Sequence, residues 1–446
     1  MSNSSASKYK KVLSIYDLIL SNIGHIVGAG VFVLIGKILN IAGKTAWISV
    51  LLSGIFIYFI SDSCIKVYNK YLSNDSEYLA IKVKYGKLIS NISIITTCIA
   101  TILIIYIVVL GFGSYTNIIT NNYITSFTAS LLGLLSAVII NIYGIELTTD
   151  INNIFTIGGI FGLFLLIFLG CIYFYTHWLS TIQNFKLHSI HDINILNILY
   201  AAFIFIFAYG GFELTIRLSA ESESESESES ESAVDLNADP DIINQNTQPG
   251  INNVHIALKN SIVIIIIIYT LLMLIMIGIF GNGRNSSLAS SLTPLSVLIN
   301  KLTNNTFIIK YIELSGMVLT WNTILLSITY GSRLITEYAN NINIYTLTLD
   351  KKLDTNLDTN LDTNLDTNLD TNLDTNLDTN LDTKLDNKII NLLKDINIYT
   401  QTPIYSIIFI GIIVLLLILI KLNIITSTIV SNACVIMVMF LVYLSS

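Results

Sequence analysis

Ten apolar stretches, each long enough to cross a lipid bilayer, constrain what this chain can fold into. A helix needs about 20 residues to cross the hydrocarbon core, and its backbone hydrogen bonds must close internally. Only 12% of the 446 residues are charged, against about 25% in a typical soluble protein. We therefore predict an all-α integral membrane protein of about ten transmembrane helices. The predicted spans are 14–37, 45–65, 88–112, 125–142, 152–175, 196–219, 257–280, 307–336, 403–421 and 424–444.

The lysines between these spans predict the orientation of the chain. Lys8, Lys10 and Lys11 precede the first span, and further lysines cluster after the second span and after the eighth. Cytoplasmic loops of membrane proteins carry an excess of lysine and arginine. The three lysine-rich segments lie on one side if the spans alternate. The sequence thus predicts a multi-pass membrane protein with both termini in the cytoplasm, and it does not indicate which membrane.

Two low-complexity tracts interrupt the pattern of spans. Residues 221–232 alternate Glu and Ser, and residues 353–380 repeat Leu-Asp-Thr-Asn. Neither tract has enough apolar residues to bury a face, so we interpret both as disordered cytoplasmic insertions. A regulatory tail and a passive sequence expansion both remain open for the Glu-Ser tract. The predicted organisation is a tail 1–13, helices one to six in 14–220, an acidic loop 221–256, helices seven and eight in 257–337, a repeat loop 338–402, and helices nine and ten in 403–446.

Glycine clusters lie in the middle of the first and sixth spans, the first members of two sets of five. Clustered glycines destabilise a helix, and an opened helix exposes N–H groups that attract a carboxylate and carbonyls that attract an ammonium. Paired interruptions of this kind indicate a transporter site, whereas glycines also serve close helix packing. The predicted substrate-binding residues are Val27, Gly28, Ala29, Gly30, Ala208, Tyr209, Gly210 and Gly211.

Four polar residues near these interruptions are candidates for gating or for coupling to an ion. His25 lies one turn before Gly28, and Glu213 follows the sixth-span glycines. Asn322 and Thr323 offer polar atoms from the eighth span. Ionisable residues inside a membrane are functional candidates by default. Ordinary structural hydrogen bonding or pairing remains the alternative for each of them, and we expect Tyr209 either to cover the substrate or to pack in the core.

At these positions the chain resembles the amino acid permeases of the amino acid–polyamine–organocation superfamily. Residues 28–32, Gly-Ala-Gly-Val-Phe, are similar to the first-helix motif of that family, and residues 207–213, Phe-Ala-Tyr-Gly-Gly-Phe-Glu, to its sixth-helix motif. Further similarities follow in family order at 76–79, 141–145, 152–156 and 332–333. The resemblance implies a leucine-transporter-like fold, a 5+5 inverted repeat with discontinuous helices 1 and 6. It also implies secondary transport of amino acids or related amines by alternating access, as symport or exchange.

The resemblance also shapes the expectations about partners and coupling. Gly158 and Gly159 stand where many proton-coupled relatives have a lysine, so the resemblance does not extend to the coupling mechanism that uses this lysine. The loop after the third span lacks the cysteine through which some relatives bind a heavy chain, so we expect no disulfide-linked heavy chain. We expect an amino acid or amine substrate, a lipid bilayer, no nucleic acid, no metal and no cofactor, with coupling to H⁺ or Na⁺ left open. No enzyme motif is recognisable, and a non-transporting amino-acid-binding membrane sensor is the alternative function.

Overall fold

The structure is a computed structural model that describes residues 14–28, 30–71, 76–186, 193–212, 249–282, 288, 291–357 and 390–446. Within these ranges the chain forms helices, turns and bends and no strand. The tail 1–13, the Glu-Ser tract 221–232 and most of the repeat tract lie outside the described residues. Their assignment as cytoplasmic segments stays a prediction.

The helices that define the fold are numbered α1 to α14 in chain order. Short π-helical and 3₁₀ segments, Gly30–Leu34 and Ile206–Tyr209, stand at the two glycine clusters. The helices are α1 Ile15–Ile26, α2 Ile35–Ala42, α3 Ala46–Tyr71, α4 Ser76–Tyr85, α5 Lys87–Ile119, α6 Ser126–Tyr143, α7 Ile145–Thr176, α8 Trp178–Phe185, α9 Ile195–Phe205, α10 Pro249–Phe280, α11 Pro294–Leu302, α12 Thr306–Leu357, α13 Ile404–Ile420 and α14 Ile424–Ser445.

The helices coincide with the predicted spans. Seven helical runs of the described chain are long and apolar enough to cross a membrane, by length and composition. The first run, Ile15–Tyr71, contains the first two predicted spans, and the shorter apolar helices Ile195–Tyr209 and Ile404–Ile420 fall on the sixth and ninth. The prediction of an all-α, multi-pass membrane protein is confirmed.

Burial separates central from peripheral helices. The apolar windows of the Ile15–Tyr71 run and of α12 are 88% and 83% buried, whereas those of α6, α7 and α14 are each 33% buried. Helix α1 packs against α7, α10 and α12, and α12 also packs against α5. The first span therefore lies inside the bundle, where an interruption of its backbone is surrounded by protein and not by lipid.

The start of α1 is fixed by a local signal and a tertiary contact. Ser14 and Asp17 form a capping box, in which each side chain accepts a hydrogen bond from the other residue's backbone N–H. The second oxygen of the Asp17 carboxylate accepts from Asn153 in α7, at 2.6 Å. A capping box satisfies N–H groups that the first helical turn leaves open. The contact with Asn153 therefore fixes the position of α1 along the axis of α7.

Three short helices and several helix ends differ from the sequence-based prediction. The sequence-based spans do not include the short helices α4, α8 and α11, because each of these helices has ten residues or fewer and is too short to cross a bilayer. Helices α3 and α5 end at Tyr71 and Ile119, beyond the predicted 65 and 112. Helices α7 and α10 begin at Ile145 and Pro249, before the predicted 152 and 257. Helix α12 begins as predicted but runs to Leu357 rather than ending at 336, so it includes residues 353–357 of the repeat tract. Extending an existing helix needs no new nucleus, and Asp, Thr and Asn cost only about 0.7 kcal/mol or less per residue. The prediction of disorder is wrong for these first repeat residues.

Candidate functional site

The first span is interrupted at its glycine cluster. Helix α1 ends at Ile26, and Val27 leaves the helical conformation with ψ 75°. The N–H of Gly28 turns back to the carbonyl of Ile26 at 2.9 Å, and helical structure resumes at Gly30. Ala29 lies outside the described residues. The predicted discontinuity of the first span is confirmed.

The sixth span is interrupted as well. Helix α9 ends at Phe205 and tightens into the 3₁₀ segment Ile206–Tyr209. Gly210 is extended, with ψ 142°, and Gly211 has φ +100°, a left-handed conformation that favours glycine. The second discontinuity is therefore confirmed on its α9 side. Glu213 and the residues after it lie outside the described chain, so its predicted gating role stays a prediction.

The two interruptions touch each other inside the bundle. A Cβ atom placed on Gly30 would lie 2.3 Å from the Cα and 2.3 Å from the Cβ of Ala208. The clash is partly with backbone, so no side-chain rearrangement can relieve it. The sequence placed both residues in one site, and the structure shows that glycine is required at position 30 by direct contact between the two segments.

A tyrosine from α10 connects the two interruptions. The Tyr269 hydroxyl lies 3.0 Å from the carbonyl oxygen of Ile26 and 3.2 Å from that of Ala208. All three residues are buried, and Tyr269 has no exposed surface. Sequence reasoning missed Tyr269, because α10 has no glycine cluster and a tyrosine in an apolar helix carries no signal of its contacts.

His25 joins three elements at the same place. Its Nδ1 lies 2.9 Å from the carbonyl oxygen of Gly211, and its Nε2 lies 2.8 Å from the Ser327 hydroxyl in α12. A carbonyl oxygen only accepts, so Nδ1 carries the proton and Nε2 of the neutral ring accepts from Ser327. The ring centroid of Tyr330 is 6.2 Å away. The structure brings His25 to the second interruption, where its sequence position alone did not place it.

A small cavity lies beside His25. Its volume is about 20 Å³, and its walls come from the sixth-span glycines, α5, α12 and α14. A cavity of this size holds about one water molecule. An amino acid does not fit in this cavity, so the described residues around His25 form a closed arrangement in which the interrupted segments pack against each other. The lining residues are His25, Thr97, Ala100, Thr101, Ile104, Gly210, Gly211, Ser327, Tyr330 and Val435.

A buried polar cluster lies on the α7 and α12 side of the first span. The Asn322 amide donates to Asn152 at 2.8 Å and to Thr156 at 3.0 Å. The Thr323 hydroxyl donates to the carbonyl of Gly24 at 3.2 Å. The Oδ1 atom of Asn322 has no hydrogen-bond partner among the described residues, although the residue is fully buried. Buried acceptors are normally satisfied, so this oxygen could accept from a bound water or face a cation.

Tyr209 packs away from the cavity. It is fully buried, its hydroxyl donates to the carbonyl of Val50 in α3 at 3.3 Å, and its ring centroid lies 5.4 Å from that of Tyr269. In this closed state Tyr209 therefore supports the core. These contacts agree with the packing alternative, and the role of a cover above the substrate stays a prediction.

The glycine pair of α7 does not face the first span. Gly159 packs against Leu319, and a Cβ on Gly158 would meet nothing within 4 Å. The α7 residues that approach Gly24 of α1 are Asn152 and Thr156, whose side-chain oxygens would lie 2.3 and 2.2 Å from a Cβ on that glycine. Neutral polar groups thus stand at this contact. It stays a prediction that Gly158 and Gly159 replace the lysine of proton-coupled relatives and that the coupling mechanism differs accordingly.

Comparison with known proteins identifies the family. Residues 13–344 match the family described as amino acid permease. None of the curated proteins is similar enough in sequence to count as a match. Among solved structures, a histidine-to-alanine mutant of the Eremococcus coleocola manganese transporter is similar at 10% identity, with a TM-score of 0.46, over 100% of this chain and 98% of that one. The family match covers well over half of the chain and includes α1, both interruptions and most of α12. The chain therefore belongs to the amino acid permease family.

Proposed function

We propose that the protein is a secondary active carrier that moves amino acids or related amines across a membrane by alternating access. The observation that carries the proposal is the pair of interrupted spans that meet at Gly30 and Ala208 inside the bundle. Interrupted helices expose backbone N–H and carbonyl groups with opposite partial charges. An α-amino acid carries a carboxylate and an ammonium, which are the complementary groups.

The closed geometry supports alternating access. The cavity beside His25 has room for about one water, so a substrate enters only if the interrupted segments separate. Hydrogen bonds of Tyr269 and His25 join these segments across helix boundaries. These bonds must break and re-form in each transport cycle. They are therefore the contacts through which substrate binding would change the balance between closed and open states.

Two groups of residues are candidates for ion coupling. His25 would bind a proton at Nε2, which requires the Ser327 hydroxyl to turn from donor to acceptor. Asn322 and Thr323 would bind Na⁺ through oxygen atoms, together with the carbonyl of Gly24. Exchange without an ion is the third mode. A His25→Gln variant separates the first from the others, because it would lose dependence on the proton gradient and keep any dependence on sodium.

Uptake by the reconstituted full-length protein tests the transport function. Proteoliposomes are offered the 20 common amino acids and putrescine, radiolabelled one at a time, with and without imposed H⁺ and Na⁺ gradients and after preloading with unlabelled compound. We expect saturable uptake of at least one compound. Binding without flux would instead select the sensor, and neither binding nor flux would remove both functions.

A matched pair of variants locates the site. A Cβ on Gly28 would lie 1.9 Å from the Thr323 hydroxyl, whereas a Cβ on Gly158 meets open space. Gly28→Leu should therefore abolish uptake, and Gly158→Leu should leave uptake within about twofold, since surface substitutions rarely cost more than about 0.5 kcal/mol. Equal uptake by both variants would contradict a site at the first interruption.

A further inference from the structure

The Tyr269 hydroxyl occupies the position where two interrupted helices offer carbonyl oxygens to the inside of the protein. Its distances to the carbonyls of Ile26 and Ala208 are 3.0 and 3.2 Å. Both are hydrogen-bonding distances for a hydroxyl donor. The two acceptors belong to different spans, and no other side chain of the described chain reaches both.

A phenol has one proton, and the two carbonyls compete for it. The Ile26 carbonyl also accepts from the N–H of Gly28 at 2.9 Å. Each carbonyl oxygen has two lone pairs, so neither interruption is saturated by a single shared O–H group. The pair of carbonyls has more acceptor capacity than the tyrosine fills, and a donor with several N–H groups would fill it better.

An ammonium group has three N–H donors and a positive charge, and it binds best where carbonyl oxygens from two helix ends converge. The cavity beside His25 touches neither Ile26 nor Ala208, and both residues are buried. An ammonium therefore reaches these carbonyls only by taking the place of the Tyr269 hydroxyl.

We infer that Tyr269 is a built-in substitute for the substrate ammonium: its hydroxyl donates its one proton to the two carbonyls in turn in the empty closed state and must be displaced when an amine-bearing substrate binds. This inference rests on the proposed function. It assigns a specificity role to α10, because a ligand without an ammonium cannot replace the hydrogen bonds that the tyrosine gives up. Ligands must therefore carry an ammonium to bind with a net gain.

Removal of the hydroxyl should tighten substrate binding, whereas the loss of a purely structural hydrogen bond should not. In Tyr269→Phe the carbonyls lose their internal donor, and an incoming ammonium has no competitor. The variant should bind the amino acid that shows the fastest uptake in the panel about two- to tenfold more tightly, which is the net effect of one neutral hydrogen bond. Binding of the des-amino analogue of that amino acid should not become tighter.

Tyr115→Phe is a matched control. Its hydroxyl is also fully buried and donates to a backbone carbonyl of the first span, that of Phe32 at 3.0 Å. Phe32 lies beyond the interruption, in the π-helical segment. Tyr115→Phe removes the same kind of hydrogen bond from the same span, and it should leave the dissociation constant unchanged or raise it.

Dissociation constants are measured by isothermal titration of the purified full-length chain, independently of flux. Wild-type protein that binds and transports the amino acid, together with equal or weaker binding by Tyr269→Phe, would overturn this inference and leave the carrier function standing. Wild-type protein that binds no compound of the panel would overturn the carrier function itself.

If Tyr269→Phe does not fold, 3-fluorotyrosine placed at position 269 keeps the hydroxyl and reports on its surroundings by ¹⁹F NMR. Addition of the amino acid should shift the fluorine signal, and addition of the des-amino analogue should not. A signal that stays in place when the amino acid saturates the protein would show that the hydroxyl is not displaced, and would overturn the inference.

Discussion

Gly211 shows how one residue serves two requirements at this site. Its φ of +100° disfavours any side chain, and a Cβ there would lie 2.6 Å from Nδ1 of His25. The carbonyl of the same residue accepts the His25 hydrogen bond. Glycine at this position thus allows both the turn that ends the 3₁₀ segment and the close approach of the imidazole.

Gly211→Ala should therefore lower thermal stability and abolish uptake. Gly86→Ala is the control, because Gly86 also has a positive φ of +84° but has no atom within 4 Å of its Cβ position. A left-handed alanine costs about 1–2 kcal/mol, and only Gly211→Ala adds a steric clash. Thermal stability is measured by melting monitored through tryptophan fluorescence, and uptake is measured in vesicles. Equal losses of uptake in the two variants would show that backbone strain alone is responsible.

At the scale of helices, buried polar side chains hold neighbouring spans in register. Asn141 in α6 donates to the carbonyl of Leu325 in α12 at 3.0 Å and accepts from the Thr329 hydroxyl at 2.6 Å. In lipid the apolar surfaces of helices have little hydrophobic reason to associate, so packing and interhelical hydrogen bonds set the contacts. Asn141 therefore fixes the peripheral α6 against the central α12.

Asn141→Leu should destabilise the bundle by about 0.5–2 kcal/mol, the range for interhelical hydrogen bonds in membranes. Asn300→Leu is the comparison, because among the described residues the Asn300 amide donates only to the carbonyl of Ser296 in its own helix. Urea or SDS unfolding of the two variants gives the free energies. A loss for Asn141→Leu no larger than for Asn300→Leu would show that α6 is held by packing alone.

For the whole molecule, the repeat tract is expected to contribute neither to the bundle nor to transport. The predicted loop between α12 and α13 contains residues 358–389, most of which repeat one polar tetrapeptide. The entropy of closing a loop changes slowly with its length, by about 0.6 kcal/mol for each doubling. A chain with a much shorter connection should fold as the full chain does.

Residues 358–389 are replaced by a flexible linker of about 12 Gly and Ser residues. Uptake should stay within twofold and the melting temperature within about 2 °C. The reason is that shortening the loop to this extent changes the free energy of folding by only about 1 kcal/mol at most. Uptake and melting of the shortened and full-length proteins are compared in the same vesicles. A loss of uptake with unchanged melting would instead assign the tract a role in regulation.

The sequence by itself determined the all-α membrane class, the place of the two interruptions along the chain and the family. The length of an apolar stretch and a cluster of glycines are local properties of the sequence. In lipid an apolar stretch must form a helix, because its backbone polar groups have to pair internally, and glycines mark where the helix is interrupted inside the protein. The motifs around Gly28 and Gly210 are recognisable from the order of residues alone.

Only the tertiary structure decided which atoms meet at the interruptions. The contact of Gly30 with Ala208, the double approach of Tyr269 and the bond of His25 to Gly211 join residues far apart in the chain. The apolar part of α10 that contains Tyr269 has no periodic signal that tells which face is buried, because lipid and protein interior are equally apolar. Side-chain packing between helices therefore fixes which hydroxyl reaches the open carbonyls.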